Sequence, residues 1–258
     1  MFDIHTHLND EKLFGISESI VKDLNNFGIT KVIVPSCDKK MCENTLKLIE
    51  KYANVYGALG IHPCDTSDFD EEMAKMIEKS AQNPKIVAVG EIGFDNHYPG
   101  SDLIKQREVF VKQLKIAKKV KLPLILHVRD AWSEFFDVLN EDRTLFQNGV
   151  DVHCFDGGKE VAKKLLDEGF YISLTALGVE DRPKFREVAE FIPLDRVMVE
   201  TDSPYLLPSE LKDKQKFNVP QNVVYVAKKL AEYKKVSYEK IDEITTKNAL
   251  KLFKRLGE

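Results

Sequence analysis

The chain has 258 residues, 43% of them hydrophobic and 31% charged, enough apolar material for a large core in a soluble globular protein. No apolar run reaches the ~20 residues a membrane span needs, and the first residues show neither the basic and apolar segments nor the cleavage site of a secretory leader, so no membrane partner and a cytoplasmic location are expected. A net charge of −4 excludes a protein that coats nucleic acid through a bulk basic field, though not an enzyme that grips one or two phosphates through metal ions.

Short runs rich in Val and Ile alternate with longer charged stretches of helical period. The first run, MFDIHTH, is followed by SESIVKDLNNFG (17–28), whose apolar residues recur three and four apart. Further strands are predicted at KVIVPS (31–36), VYGALGIHP (55–63) and IVAVGEIGFD (86–95), with a helical DEEMAKMIEKSAQ (70–82) before the last. LIKQREVFVKQLKIAKKV (103–120) leads into LPLILHVRD (122–130) and GVDVHCF (149–155). KEVAKKLLDEG (159–169), FYISLTALG (170–178) and RVMVETDSP (196–204) complete eight strands, and two helices, roughly 219–234 and 237–256, close the chain. Gly28 and Gly169 stand where helices end on a left-handed residue.

Several strands are nearly continuous Val, Ile and Leu, as strands buried on both faces should be. Eight β-then-α units without a linker predict a single (β/α)8 TIM barrel over 1–258, an α/β fold with additional C-terminal helices. A doubly wound open sheet is the alternative, but the first turn, THLNDEKLFG (6–15), lacks a G-x-G-x-x-G loop. Cys37, Cys42, Cys64 and Cys154 form no C-x-x-C pair and are expected to be free thiols.

The chemistry gathers at the strand ends. His7, His62, Glu91, His127, His153 and Asp202 fall late in a strand or just past it, and His5 shares a face with His7 by the period of two. A barrel opens all eight C-terminal strand ends onto one face. A lone histidine there is usually a satisfied rim group, but five with two carboxylates at one depth point to metal. Imidazole with carboxylate suits Zn, Mn, Fe or Ni and leaves room for Mg. Glu91, on the fourth strand, is placed to bridge two ions, an arrangement suited to in-line displacement at phosphorus.

The ordered set D-I-H-T-H-L (3–8), G-I-H-P (60–63), G-E-I-G-F-D (90–95), L-P-L-I-L-H-V-R-D-A (122–131), H-C-F-D-G (153–157) and E-T-D-S-P-Y-L (200–206), with T-K-N-A-L-K-L-F (246–253), resembles the TatD-type metal-dependent deoxyribonucleases, a branch of the amidohydrolase-like barrels. The resemblance covers essentially the whole chain. It implies a phosphodiester hydrolase, an exonuclease on DNA ends, with two divalent ions (Mg, Mn or Zn) activating a water. His5, His7, Glu91 and Asp202 would hold one ion, and Glu91, His127 and His153 the second. Asp202 would also be the general base, and His62 a phosphate contact or proton donor to the leaving oxygen. Arg129 is expected to bind phosphate, or else to pair with Asp3 or Glu200. Those two acids are expected to fix the rings of metal-bound histidines. The implied partner is DNA, single-stranded or end-bound, as the substrate of a monomeric protein.

The chain departs from the family at Asp156, where Ser is usual, at Val219 in F-N-V-P (217–220), where Glu is usual, and at Asn96-His97, where an aromatic is usual. His97 is expected in an exposed loop. Trp132 is expected to pack a βα loop, with base stacking as the alternative. The lysines of KDKQK (212–216) would lie on the active face and guide a phosphate backbone. An alternative function keeps the barrel and the metals but hydrolyses a carbon-centred ester or amide, such as an aminoacyl-tRNA ester or a lactone. A non-catalytic metal- or partner-binding barrel is a third.

Overall fold

The computed structural model describes residues 1–257. Eight parallel strands follow one another in sequence order: β1 (Phe2–Asp3), β2 (Lys31–Pro35), β3 (Val55–Leu59), β4 (Ile86–Asp95), β5 (Leu124–Arg129), β6 (Val150–Val152), β7 (Tyr171–Leu174) and β8 (Val197–Val199). Past the ends of β1 and β8 the seam is closed by backbone bonds. Asp202 N–H donates to the His5 carbonyl (2.9 Å) and His7 N–H to that of Ser203 (2.6 Å). The expected barrel is the one observed.

Helices α1 (Glu11–Phe14) and α2 (Ser17–Asp23) follow β1, and α3 (Lys39–Lys51), α4 (Glu71–Ser80) and α5 (Leu103–Val120) follow the next three strands. Then come α6 (Trp132–Glu141), α7 (Lys159–Asp167) and α8 (Pro183–Phe191), with α9 (Val223–Lys234) and α10 (Tyr238–Leu252) closing the chain. Side-chain oxygens of Asp38, Asp70, Asp102 and Ser237 accept from N–H groups that would otherwise be orphaned in the first turns of α3, α4, α5 and α10. The predicted helix over 17–28 is regular only to Asp23 and tightens into a 3-10 turn, Leu24–Phe27, before Gly28 at φ 73°. No helix among the described residues is long and apolar enough to cross a membrane.

α10 and the turn after it sit against the N-terminal strand ends. Asn248 Nδ2 donates to the carbonyl of Val197 (2.8 Å) and Arg255 Nη1 to that of Ile86 (2.6 Å), the first residues of β8 and β4. Ala249, Leu252, Phe253 and Leu256 pack there on Phe2, Ile4, Ile33, Ala88, Ile125 and Met198.

Five strands are shorter than expected: β1 ends at Asp3, β3 at Leu59, β6 at Val152, β7 at Leu174 and β8 at Val199. After β3 the cause is local, because Pro63 has no N–H to continue a ladder and starts a 3-10 turn, Pro63–Asp68, capped by His62. β4 is the exception, ten residues long and buried at every position. Its register steps from Val89↔Leu124 to Ile92↔Leu126 on β5, so β4 carries one residue more than its partner across the site of Glu91. Such bulges recur beside active sites, where they re-aim a side chain.

Candidate metal centre

Each side chain of the cluster is set by the backbone at the end of a strand. Gly93 faces β5 at φ 148°, where a Cβ would lie 1.9 Å from the His127 carbonyl oxygen, so only glycine lets β4 run this close to His127. Asp202 sits just past β8 at φ 55°, in the left-handed region, held by its N–H to His5 and by the Tyr205 N–H on its carbonyl (2.9 Å). Asp3 ties β1 to this turn, accepting from the N–H (2.9 Å) and hydroxyl (2.6 Å) of Thr201. That corrects its expected role: Asp3 anchors the strand seam rather than a histidine ring.

The six expected metal ligands converge around Glu91, which is 3% exposed. Its Oε2 lies 3.3 Å from His5 Nε2 and 3.8 Å from His7 Nε2. Its Oε1 lies 2.7 Å from His127 Nδ1 and 3.7 Å from His153 Nε2. Asp202 Oδ1 is 3.2 Å from His7 Nε2, 3.8 Å from His5 Nε2 and 3.9 Å from His153 Nε2. The His5 and His153 rings stack with centroids 3.5 Å apart. Glu200 Oε1 lies 2.8 Å from His153 Nδ1 and accepts the Cys154 N–H at 2.7 Å, so Glu200 does stand behind a histidine.

Charge within the cluster is strongly redistributed. Burial opposes ionisation of Glu91, but His153 and hydrogen bonds from His127 and His5 outweigh it and hold the carboxyl well below the usual range. Burial also opposes a proton on His127, yet Asp95 and Glu91 carry its pKa up to about 9. His153 rises to about 10 against the same burial, through Glu200 and Glu91. His62 goes the other way, down to about 3, because burial and then the neighbouring His127 disfavour its charge. Cations fit this donor set. His5 Nε2, His7 Nε2, Glu91 Oε2 and Asp202 Oδ1 leave edges of 3.2–3.8 Å, close to those around an ion about 2.1 Å from each atom. His5 Nδ1 and His7 Nδ1 are buried with no hydrogen-bond partner. Two imidazole nitrogens and one oxygen from each carboxylate thus cluster together, the donor types a divalent cation takes.

The cluster forms the floor of a cavity of about 620 Å³, whose walls include His62, Arg129 and Asp156. Arg129 makes no ion pair among the described residues, so the expected pairing with Asp3 or Glu200 does not form. Its guanidinium instead lies 5.8 Å from the centroid of the Tyr98 ring. Trp132, the first residue of α6, packs on Phe135 and Phe136 of that helix and, as expected, on a βα loop through Phe155 after β6, and takes no part in the cavity wall. His97 is exposed and lies 2.9 Å from Asp130. Val219 packs against the core at the start of the turn before α9. Lys212 and Lys216 line a second cavity of about 580 Å³ that shares Leu177 and Leu206 with the first. All four cysteines are free thiols.

Sequence reasoning missed Asp95, whose Oδ2 is 2.8 Å from His127 Nε2. That contact leaves Nδ1 of the ring turned to Glu91, the arrangement by which an outer carboxylate selects the ligating nitrogen. The signal was present, since Asp95 stands four positions after Glu91 and the strand period is two. Gln106 holds Asp95 in turn, donating to its carbonyl (2.8 Å) and accepting its N–H (2.9 Å). Tyr98 and Tyr205 on the cavity rim were also missed, and nothing in their spacing marks them.

Comparison with known proteins places this geometry. A family model described as TatD related DNase matches residues 2–254. The uncharacterized metal-dependent hydrolase YabD of Bacillus subtilis is 36% identical over 255 residues, 98% of this chain and 99% of that protein. The 3'-5' ssDNA/RNA exonuclease TatD of Citrobacter koseri is 29% identical over 98% of both chains. Among solved structures, the TatD homologue YjjV of Escherichia coli superposes with a TM-score of 0.91 at 27% identity, covering 98% of each chain.

Proposed function

The chain belongs to the TatD related DNase family and is a metal-dependent hydrolase acting on ester bonds, and from that premise we propose that it is a phosphodiesterase that shortens DNA from an end. The observation that carries this reading is the convergence of four histidines and Asp202 around the shared Glu91, at the floor of an open cavity. His5, His7, Glu91 and Asp202 would hold one divalent cation, and Glu91, His127 and His153 a second. Divalent cations bound there supply positive charge that lowers the pKa of a water and neutralises phosphoryl oxygens.

The chain's own groups do the rest. Asp202 is the most exposed acid of the cluster, at 14% of its side chain, and its lowered pKa keeps it ionised, burial being outweighed by His7 and His153. It is the group able to take the proton of the attacking water. The Arg129 fork has no carboxylate partner and is free to bind a non-bridging phosphate oxygen. His62 Nδ1 accepts the Cys64 N–H at 3.1 Å, so the neutral ring carries its proton on Nε2 and can donate a hydrogen bond to phosphate. A group with a pKa of about 3 is a positioning donor at neutral pH rather than a store of ionised protons. Relatives named 3'-5' ssDNA/RNA exonuclease support nucleic acid as the substrate class.

One observation favours a second reading. Asp156 puts another carboxyl into the cavity wall, an unfavourable neighbour for a phosphodiester, and the same centre would serve attack on a carbonyl carbon. The test is shortening of an end-labelled single-stranded oligonucleotide by protein loaded with Mg, Mn or Zn. Asp202→Asn is expected to slow shortening about 10²–10⁴-fold while metal analysis still finds bound ion. Hydrolysis of aminoacyl esters or lactones with no shortening would put the carbonyl reading first.

A further inference from the structure

Six large apolar side chains are exposed among the described residues: Ile16, Phe27, Tyr98, Ile104, Tyr205 and Leu250. Only Tyr98 and Tyr205 line the catalytic cavity. They are 56% and 45% exposed, although each ring carries apolar surface that packing would ordinarily hide. Tyr98 follows β4 and Tyr205 follows β8. In a ring ordered β1 to β8 those strands lie four steps apart in either direction, so the two tyrosines stand on opposite walls.

Each ring is also braced from beside the cavity. The Arg129 guanidinium lies 5.8 Å from the Tyr98 centroid and Lys12 Nζ lies 5.3 Å from that of Tyr205, both within the range of cation–π attraction. Tyr205 is further fixed by its hydroxyl, which donates to Asp10 Oδ2 at 3.0 Å, and by the His7 ring edge-on with centroids 5.9 Å apart. Two aromatic faces thus flank the floor where the reacting phosphate would lie. An alkyl ester or lactone offers no aromatic ring to stack on either, whereas a nucleic acid strand carries a base on each side of every internal phosphodiester.

We propose that Tyr98 and Tyr205 form a nucleobase clamp, stacking on the bases either side of the scissile phosphate of a single strand. Stacking requires unpaired bases, so the clamp selects single strands and frayed ends over intact duplex. It also grips with little regard to base identity, because every base offers a π-face. Arg129 then has two contacts, a phosphate oxygen and the back of the Tyr98 ring. The inference rests on the phosphodiesterase reading and names the part of the substrate that reading leaves open.

The test compares single-stranded thymidine oligonucleotides with matched oligomers that carry abasic sugars beside the cleaved bond. Metal-loaded protein is used for cleavage, and fluorescence anisotropy in EDTA measures binding apart from chemistry. In the unaltered protein, KM and Kd are expected to be about tenfold or more higher for the abasic oligomer, the scale of one lost base–aromatic stack. Tyr98→Leu and Tyr205→Leu should each bring that ratio towards one, and Tyr98→Phe and Tyr205→Phe should restore it. Equal KM and Kd for both oligomers would overturn the clamp while leaving the phosphodiesterase reading intact. No shortening of any oligonucleotide would overturn the phosphodiesterase reading and the clamp together.

Discussion

The two ends of the barrel are built by opposite rules. At the N-terminal end of the strands, Phe253 and Leu256 are fully buried against Phe2, Ile33 and Met198, and Asn248, Arg255 and Lys31 cap backbone carbonyls. At the C-terminal end, Glu91, His5, His7, His127 and His153 are packed within a few ångströms of one another, with His5 and His7 each leaving a ring nitrogen unpartnered. The first end gains from every side chain it hides from water. The second carries buried charge that burial alone would penalise, and it holds its shape through the strands beneath it. Stability and chemistry are thereby separated along the barrel axis, as the fold in general allows.

That separation can be tested by substitution. Asp202→Asn should lower kcat about 10²–10⁴-fold, the usual worth of a positioned base, while thermal unfolding shows no loss of stability. A variant that melted early would show that the cluster is part of what holds the barrel together. At the other end, Phe253→Ala should cost about 3–5 kcal/mol in denaturant unfolding, as large-to-small changes in a packed core do, with kcat per folded molecule unchanged. Asp95→Asn should weaken metal binding about 10–100-fold in a chelator competition, and its metal-free form should unfold at the same temperature as the unaltered protein. An unchanged metal affinity would mean that Asp95 does not select the ligating nitrogen of His127. Smallest of all, Asp70→Ala removes the cap of α4 on the metal-bearing side and should cost about 1 kcal/mol, with metal content and KM untouched.

The barrel was legible because its strands are continuous apolar runs and its helices keep a clean period. KVIVP and LPLILHVRD offer no other place to put so much Val, Ile and Leu than between two covered faces. The clustering of these side chains was legible for a related reason: each of His5, His7, Glu91, His127, His153 and Asp202 stands at or just past a strand end, where a barrel delivers side chains to one face. Contacts between loops were not legible. Arg129 was expected to bind phosphate or else to pair with Asp3 or Glu200, and the pairing does not form because both acids are taken by nearer partners, Thr201 and His153. The role of Asp95 depended on the close approach of β4 to β5 that Gly93 permits, a distance no spacing rule contains.

By itself the sequence determined the order of strands and helices, the depth of every candidate ligand and the family to which the chain belongs, since these depend on residue type and period along one chain. Only the tertiary structure decided which oxygen of Glu91 faces which histidine, and which nitrogen of His127 is left for a metal. It alone set Tyr98 and Tyr205 across the cavity from one another. Those outcomes arise where segments 32 or more residues apart in sequence are brought together by the barrel. A local pattern records what a segment will become, whereas the partner it meets is chosen by the packing of the whole.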